Sequence, residues 1–485
     1  MDRSDGAAAR RRLQRIAAHV AAPAAARTAP ALQAARTAQP PDVEAMLEPT
    51  RRAEEAQDVG EQKTEDLQDE YGVMDDRGRT YFVGEFALQC GRVMRDVEVR
   101  YNCWGTLSPA RDNALVVCHA LTGNSHLRGW WGGMLGPGKA FDTDKYFVVC
   151  ANVLGSCYGT TGPSSRDPDD PWGRPYAANF PAVTLRDTVR LHELLLKRGL
   201  GVRQVRAVVG GSMGGMQALE WAFVRPLPEE GAPAPFVSSL VVLSANARHS
   251  AWQIGISEAQ RQAIYADPNW RGGFFEKEWG KERPHPTHPP PTAGLAVARM
   301  IAMLSYRSHE AYDGRFGRAR RAGLNGSSDA GRSVSFTHEG SRIGQKLPFS
   351  TAPQGIFEVE SYLRHQGRKF IAPSRKFNAN TYVQLTQILD SHDIAAGRGD
   401  GSDEAYFSVL RSITQPMLVV AVDSDILYPQ AEQEELVLHT PNSQLHVIHS
   451  NEGHDGFLLE QDAVQPLVTD FLARELGLHS SGVVR

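Results

Sequence analysis

The stretch VRAVVGGSMGGMQALEWAF, residues 205–223, decides the fold. It starts as a β-branched run, breaks into glycine pairs on either side of Ser212 and Met213, and resumes as a helix-compatible segment. Gly210, Ser212 and Gly214 have the G-x-S-x-G spacing, and here they stand between a strand and a helix. In that context the glycines permit a sharp turn that lifts a serine hydroxyl above the end of a sheet. A serine between glycines is also an ordinary tight turn, so the rest of the chain has to supply the chemistry.

The surrounding runs share one pattern. DVEVRYNCWG (96–105), ALVVCHA (114–120), KYFVVCANVLG (145–155) and SSLVVLSA (238–245) are short, β-branched and nearly continuous in apolar content. Strands buried on both faces have this composition. Between two of them, TLRDTVRLHELLLKRGL (184–200) places Val189, Leu191, Leu194 and Leu195 at helical spacing. Strand, helix, strand predicts a mostly parallel sheet with crossover helices.

From 248 to 401 the strand rhythm stops. A Pro-rich piece (283–294) and a Ser/Gly/Arg-rich piece (318–341) sit among helical patterns such as SEAQRQAIYA (257–266) and GLAVARMIAMLSYR (294–307). We read 248–401 as a largely helical lid inserted into a core formed by 77–247 and 402–485. The rhythm returns at PMLVVAVDSD (416–425) and QLHVIHS (444–450), followed by a terminal helix from about 462 to 476.

Composition narrows the function. Lys+Arg 52 against Asp+Glu 56 leaves a net charge of −4, which excludes an electrostatic nucleic-acid binder. No apolar run approaches the roughly 18 residues of a membrane span. The five cysteines show no metal-ligand spacing and read as buried free thiols of a reducing compartment. His285 and His288 lie three residues apart among prolines that prevent a helical face, so no metal site is expected. No phosphate-cradling glycine loop stands in a suitable context. Residues 6–41 carry no acidic group and are rich in Ala and Arg, and 47–71 turn acidic. Residues 1–76 therefore read as a disordered or targeting extension, with a cytoplasmic location expected and a mitochondrial transit peptide as the alternative.

A serine hydroxyl becomes a nucleophile only when a base takes its proton. In this topology an acid and then a histidine follow the serine, from loops at the C-terminal ends of strands. Asp425 follows MLVVAV, and His454 follows LHVIHS in NEGHDGF. Asp423, closer to the strand interior, and His446 and His449, within or at the end of a strand, are the rivals. The oxyanion needs backbone donors. Met213 N–H, at the positive end of the next helix, supplies one, and the loop His119–Gly123 supplies the other, with Leu121 as the donor. His119 itself reads as a packing or turn residue.

CHALTGNSH, ANVLGSCYGTTGPSS, GGSMGGMQALEWA, SAWQIGISEAQRQAIYADPNW, GLAVARMIAMLSYR, SYLRHQGRKF, SDILYP and GHDGFLLE together resemble the homoserine O-acetyltransferases, from about Tyr81 to Leu476. The low-complexity excursion resembles the fungal form. The resemblance implies an α/β-hydrolase fold and an acetyl transfer from acetyl-CoA to L-homoserine in methionine biosynthesis, with no resident cofactor. It implies a homodimer, with Ser212, Asp425 and His454 as the triad. It also carries over Arg299 and Tyr306 as substrate-channel residues and Asp455 as the carboxylate for the homoserine ammonium. Seven residues separate Arg299 from Tyr306, two helical turns, so they share a face. A buried amino acid needs an opposite charge at each end, which suits Arg299 to the carboxylate. A triad alone does not distinguish acetyl from succinyl donors, homoserine from serine acceptors, a transferase from an esterase, or an active enzyme from a silent scaffold.

Overall fold

Eight strands form one sheet in the order β1-β2-β4-β3-β5-β6-β7-β8. They are β1 (Arg79–Ala87), β2 (Val93–Trp104), β3 (Ala114–Cys118), β4 (Phe147–Ala151), β5 (Val205–Gly211), β6 (Leu240–Leu243), β7 (Met417–Val422) and β8 (Ser443–Ile448). From β4 through β8 every pairing is parallel, and β2 runs antiparallel to both β1 and β4. The computed structural model describes residues 78–226, 228, 235–275, 289–320, 356–371 and 377–475. The N-terminal extension, His285, His288 and most of the Ser/Gly/Arg-rich excursion lie outside them.

Each predicted strand forms, and alternation explains the core. In β3, Val116 and Cys118 face one apolar cluster while Leu115 and Val117 face the other. Val208 and Val209 of β5 divide in the same way, as do Val419 and Val420 of β7. β1 was not anticipated. Its alternation is interrupted by register shifts around Gly84, and an edge strand shows little continuous apolar run.

The longer helices are α1 (Leu185–Leu194), α2 (Met213–Trp221), α3 (Ala251–Tyr265), α4 (Thr292–Tyr306), α5 (His309–Phe316), α6 (Glu358–Phe370), α7 (Ala379–Asp390), α8 (Asp403–Arg411), α9 (Gln430–His439) and α10 (Gln461–Glu475). Thr184 caps α1 in a reciprocal box with Asp187. The described residues between β6 and α8 hold α3 to α7 and no strand, only isolated bridges. One bridge, Arg248 with Asp393, closes the stem of this insertion: His249 N–H donates to His392 O and Ile394 N–H donates to Ala247 O. α3 packs on α4 and α7, and α4 on α6. Among the described residues no helix is long and apolar enough to cross a membrane. The five thiols are free; Cys103, Cys118 and Cys150 are buried as expected, whereas Cys90 is exposed.

Three buried histidines constrain the pH range of this core. Burial lowers His119, His192 and His392 from the usual value to about 4. Between the unfolded value of 6.5 and that folded value, the unfolded chain binds protons that the folded chain refuses, so stability falls as pH falls. Thermal unfolding followed from pH 8 to pH 4 is expected to show a flat midpoint above about 6.5 and a steady decline below it. A midpoint that holds to pH 4 would contradict the neutral, buried state of these side chains.

Candidate active site

Ser212 sits between β5 and α2 with φ 55° and ψ −126°, a conformation that costs a non-glycine residue about 1–3 kcal/mol. Hydrogen bonds hold it there: Ser212 N–H donates to Leu243 O at 2.9 Å, and Gly215 N–H donates to Ser212 O at 2.9 Å. The glycines around it answer to space. A Cβ on Gly210 would lie 2.1 Å from Gly214 O, one on Gly211 2.2 Å from the Phe457 ring, and one on Gly214 2.1 Å from Cys118 O. A Cβ on Gly215 would lie 2.6 Å from that of Ala245. The start of α2 therefore lies directly against the end of β3.

That approach sets the start of the loop after β3 against the first turn of α2. Met213 is the first residue of α2, where an N–H has no intrahelical partner. Leu121 is buried in the loop that follows β3. Gln217, one turn further along α2, donates from Nε2 to His119 O at 3.1 Å and fastens this loop to the helix. His119 accepts from Val153 N–H at Nε2 (3.1 Å), and its Nδ1 lies 2.8 Å from Ala120 O. With both ring nitrogens engaged, it acts as a packing residue.

The acid and the histidine meet in the interior. His454 Nδ1 donates to Asp425 Oδ2 at 2.7 Å, with both side chains at most 4% exposed. Asp425 Oδ1 accepts two backbone N–H groups, from Leu427 and Tyr428, each at 2.8 Å. Those bonds fix the carboxylate and leave Nε2 as the ring nitrogen that faces away from it. The rivals form a separate surface pair, Asp423 with His449 at 2.8 Å, where the histidine side chain is 86% exposed. Two rings pack on His454. Tyr428 stacks on it at 4.8 Å. Phe457 lies 5.5 Å from it, edge on, and also packs on Gly211.

The insertion adds the remaining expected residues. Arg299 and Tyr306 share one face of α4, with the guanidinium carbon 5.7 Å from the Tyr306 ring centre and 5.2 Å from that of Phe370. Tyr306 lies 5.8 Å from His454. Burial pushes its hydroxyl up to about 12, with Arg299 opposing and Asp455 reinforcing the shift, so it is protonated throughout the physiological range. Asp455 is buried beside His454 and pairs with Arg307 Nε at 3.0 Å.

Sequence reasoning missed Arg307. It follows the last residue of α4 and pairs with Glu452 as well as Asp455, the two carboxylates that flank Gly453 and His454. Ser308 Oγ donates to Asn451 O, and a Cβ on Gly453 would lie 2.7 Å from Ser308 N. The end of α4 is thus seated on the loop that carries His454. The adjacency of Arg307 to LSY was visible, but no local pattern connects it with residues about 150 positions away.

The sheet order and the elbow place the chain in a class: a family model described as alpha/beta hydrolase fold matches residues 113–279. The solved structure of esterase E22, at 24% identity and TM-score 0.63 over 81% of this chain and 99% of that one, shares the fold. The homoserine O-acetyltransferase structure from Staphylococcus aureus matches at 27% identity and TM-score 0.57, over 84% of this chain and 97% of that one. The homoserine O-acetyltransferase of Salinibacter ruber is 47% identical over 81% of this chain and 97% of its own length. The chain belongs to the homoserine O-acetyltransferase family.

The elbow itself gives a direct test. Gly214→Ala drives a methyl group into the Cys118 carbonyl, and backbone on both sides leaves no flexible atom to yield. The expected result is a loss of about 3 kcal/mol or more in denaturant unfolding, with loss of labelling by a fluorophosphonate serine probe. A variant of native stability and labelling would show that the contact is relieved elsewhere.

Proposed function

We propose that the chain transfers the acetyl group of acetyl-CoA to the hydroxyl of L-homoserine, a step of methionine biosynthesis, through an acyl-enzyme on Ser212. The observation that carries this reading is a strained serine at the elbow together with a buried Asp–His pair, against which the lid sets Tyr306 with Arg299 over its ring, while Asp455 directly follows the histidine. The family supports the donor and the acceptor.

His454 takes the Ser212 proton as Oγ attacks the thioester carbon, and the resulting oxyanion accepts from Met213 and Leu121 N–H. The C–S bond breaks, the sulfur takes the proton from His454, and CoA leaves. The homoserine hydroxyl then gives its proton to His454 and attacks the acetyl ester. The C–Oγ bond breaks and Oγ recovers a proton from the same histidine. Arg299 binds the homoserine carboxylate and Asp455 its ammonium. Arg307 does not preclude that role, because an ionised carboxylate has about four lone-pair sites and accepts from both cations. The lid holds the acceptor against the acyl-enzyme, so that its effective concentration exceeds what solvent water can match.

The chain works as a homodimer in the cytoplasm, joined through the lid. Val297 and Leu304 lie two turns apart on α4 and are 36% and 50% exposed, and Trp252 on α3 is 51% exposed. Free thiols suit a reducing compartment. Leu304→Glu is expected to shift sedimentation from dimer to monomer; a wild type that sediments as a monomer would refute the pairing.

Incubation with homoserine or serine and with acetyl- or succinyl-CoA tests the activity, and only the homoserine and acetyl-CoA pair is expected to give rapid product. Ser212→Ala should abolish it. Arg299→Ala should raise KM for homoserine about 10- to 100-fold while leaving acylation by acetyl-CoA intact. Product from serine or succinyl-CoA at a comparable rate would overturn the assignment.

A further inference from the structure

The triad carboxylate is held from the lid as well as from its own loop. Asp425 Oδ1 accepts from the N–H groups of Leu427 and Tyr428, each at 2.8 Å. The carbonyls of those same two peptide units are held in turn. Trp252 Nε1 donates to Ile426 O at 2.8 Å, and Gln253 Nε2 donates to Leu427 O at 2.9 Å. Trp252 and Gln253 are consecutive residues in the first turn of α3, 174 positions away in sequence from the carbonyls they hold. The stem adds a third contact, with His249 Nε2 3.2 Å from the Tyr428 hydroxyl.

A trans peptide unit is planar, with its C=O and N–H pointing in opposite directions. A donor that holds the Ile426 carbonyl therefore aims the Leu427 N–H the other way, and one that holds the Leu427 carbonyl aims the Tyr428 N–H. Both aimed groups meet at Asp425 Oδ1, which leaves Oδ2 for His454 Nδ1 at 2.7 Å. The Gln253 amide is fixed in one orientation. Its Oε1 accepts Ser250 N–H at 2.6 Å, so its Nε2 is the atom that faces Leu427 O, and it reaches Glu432 at 2.7 Å as well. Gln253 is 1% exposed, so water does not replace its bond, whereas Trp252 and Ile426 are 51% and 47% exposed and their bond is open to solvent.

We propose that Trp252 and Gln253 are positioning residues of the triad: they hold the two peptide units that hold Asp425, and so keep its carboxylate in register with His454. The inference rests on the acetyl transfer through Ser212, His454 and Asp425 described above. In that reaction His454 becomes an imidazolium in both half-reactions, and Asp425 stabilises it each time. A carboxylate that turns away from Nδ1 slows acylation and transfer alike, with no change in how either substrate binds. The lid thus contributes to the chemical step itself, apart from the homoserine contacts assigned above to Arg299 and Asp455.

The full chain and its variants are assayed at steady state with both substrates varied, and acylation by acetyl-CoA alone and thermal unfolding are followed beside it. Gln253→Met keeps the length of the side chain and removes the donor. Its kcat should fall about 10- to 100-fold, with KM for acetyl-CoA and for homoserine within about two-fold of wild type. Trp252→Phe, whose lost bond water replaces, should act in the same direction by a few-fold. Acylation should slow by the same factor as transfer. Neither loss should recur in an Asp425→Ala background, where there is no carboxylate to hold. A loss that persists undiminished in that background, a rise in KM for homoserine without a loss of kcat, or unchanged kinetics overturns the proposal. Should Gln253→Met fail to fold, Trp252→Phe and its cycle with Asp425→Ala decide. An Asp425→Ala enzyme as fast as wild type overturns the triad reading and this inference with it.

Discussion

The site depends on a turn that has no room for side chains. At Gly210, Gly211, Gly214 and Gly215 an added Cβ would sit closer than 3 Å to a neighbouring atom, and at two of the four the nearest atom is a backbone oxygen. This closeness brings β5, the first turn of α2 and the end of β3 into one contact, which forces Ser212 into its positive φ. The strain is not relieved locally, since the serine is fixed by bonds to Leu243 and Gly215. The same contact sets the start of the loop after β3 against the first turn of α2, where Gln217 fastens His119, so one packing constraint fixes both the serine turn and that loop.

A second constraint joins the insertion to the core. Arg307 pairs with the carboxylates on both sides of Gly453 and His454, and Gly453 leaves space for nothing larger against Ser308. The lid helix that carries Arg299 and Tyr306 cannot shift without dragging the His454 loop along. Charges this deep are costly unless paired, and the pairing here performs a geometric task as well as an electrostatic one. Tyr428 likewise serves several neighbours: its backbone holds Asp425, its ring covers His454, and its hydroxyl meets His249.

What could be read in the sequence was local. Gly210 to Gly215 announce a turn because glycine has few other reasons to cluster there, and MLVVAV and LHVIHS announce strands whose C-terminal loops hold Asp425 and His454. Asp423 and His449 were recognisable rivals, and only the pairing in space, one couple at the surface and the other buried, separates them. β1 escaped notice because its register shifts break the alternation that marks a strand. Arg307, Tyr428 and His249 escaped because their partners lie far off in sequence, 179 positions for His249 and Tyr428, and no periodicity encodes such contacts.

The contrast with esterases of the same fold concerns what stands over the serine. The elbow and the Asp–His pair belong to the core, which a solved esterase shares as a fold. Under the proposed reaction, the selective groups come from α4 and from the turn after β8, and they are charged: Arg299 over the ring of Tyr306 and Asp455 directly after His454. Water satisfies neither charge as a zwitterionic amino acid does, so burying that pair favours the acceptor that neutralises both ends. Arg307 keeps Asp455 from being an isolated buried anion before the substrate arrives. The preference for an amino acid over solvent therefore resides in the docking of the lid on the His454 loop, and the core chemistry is indifferent to it.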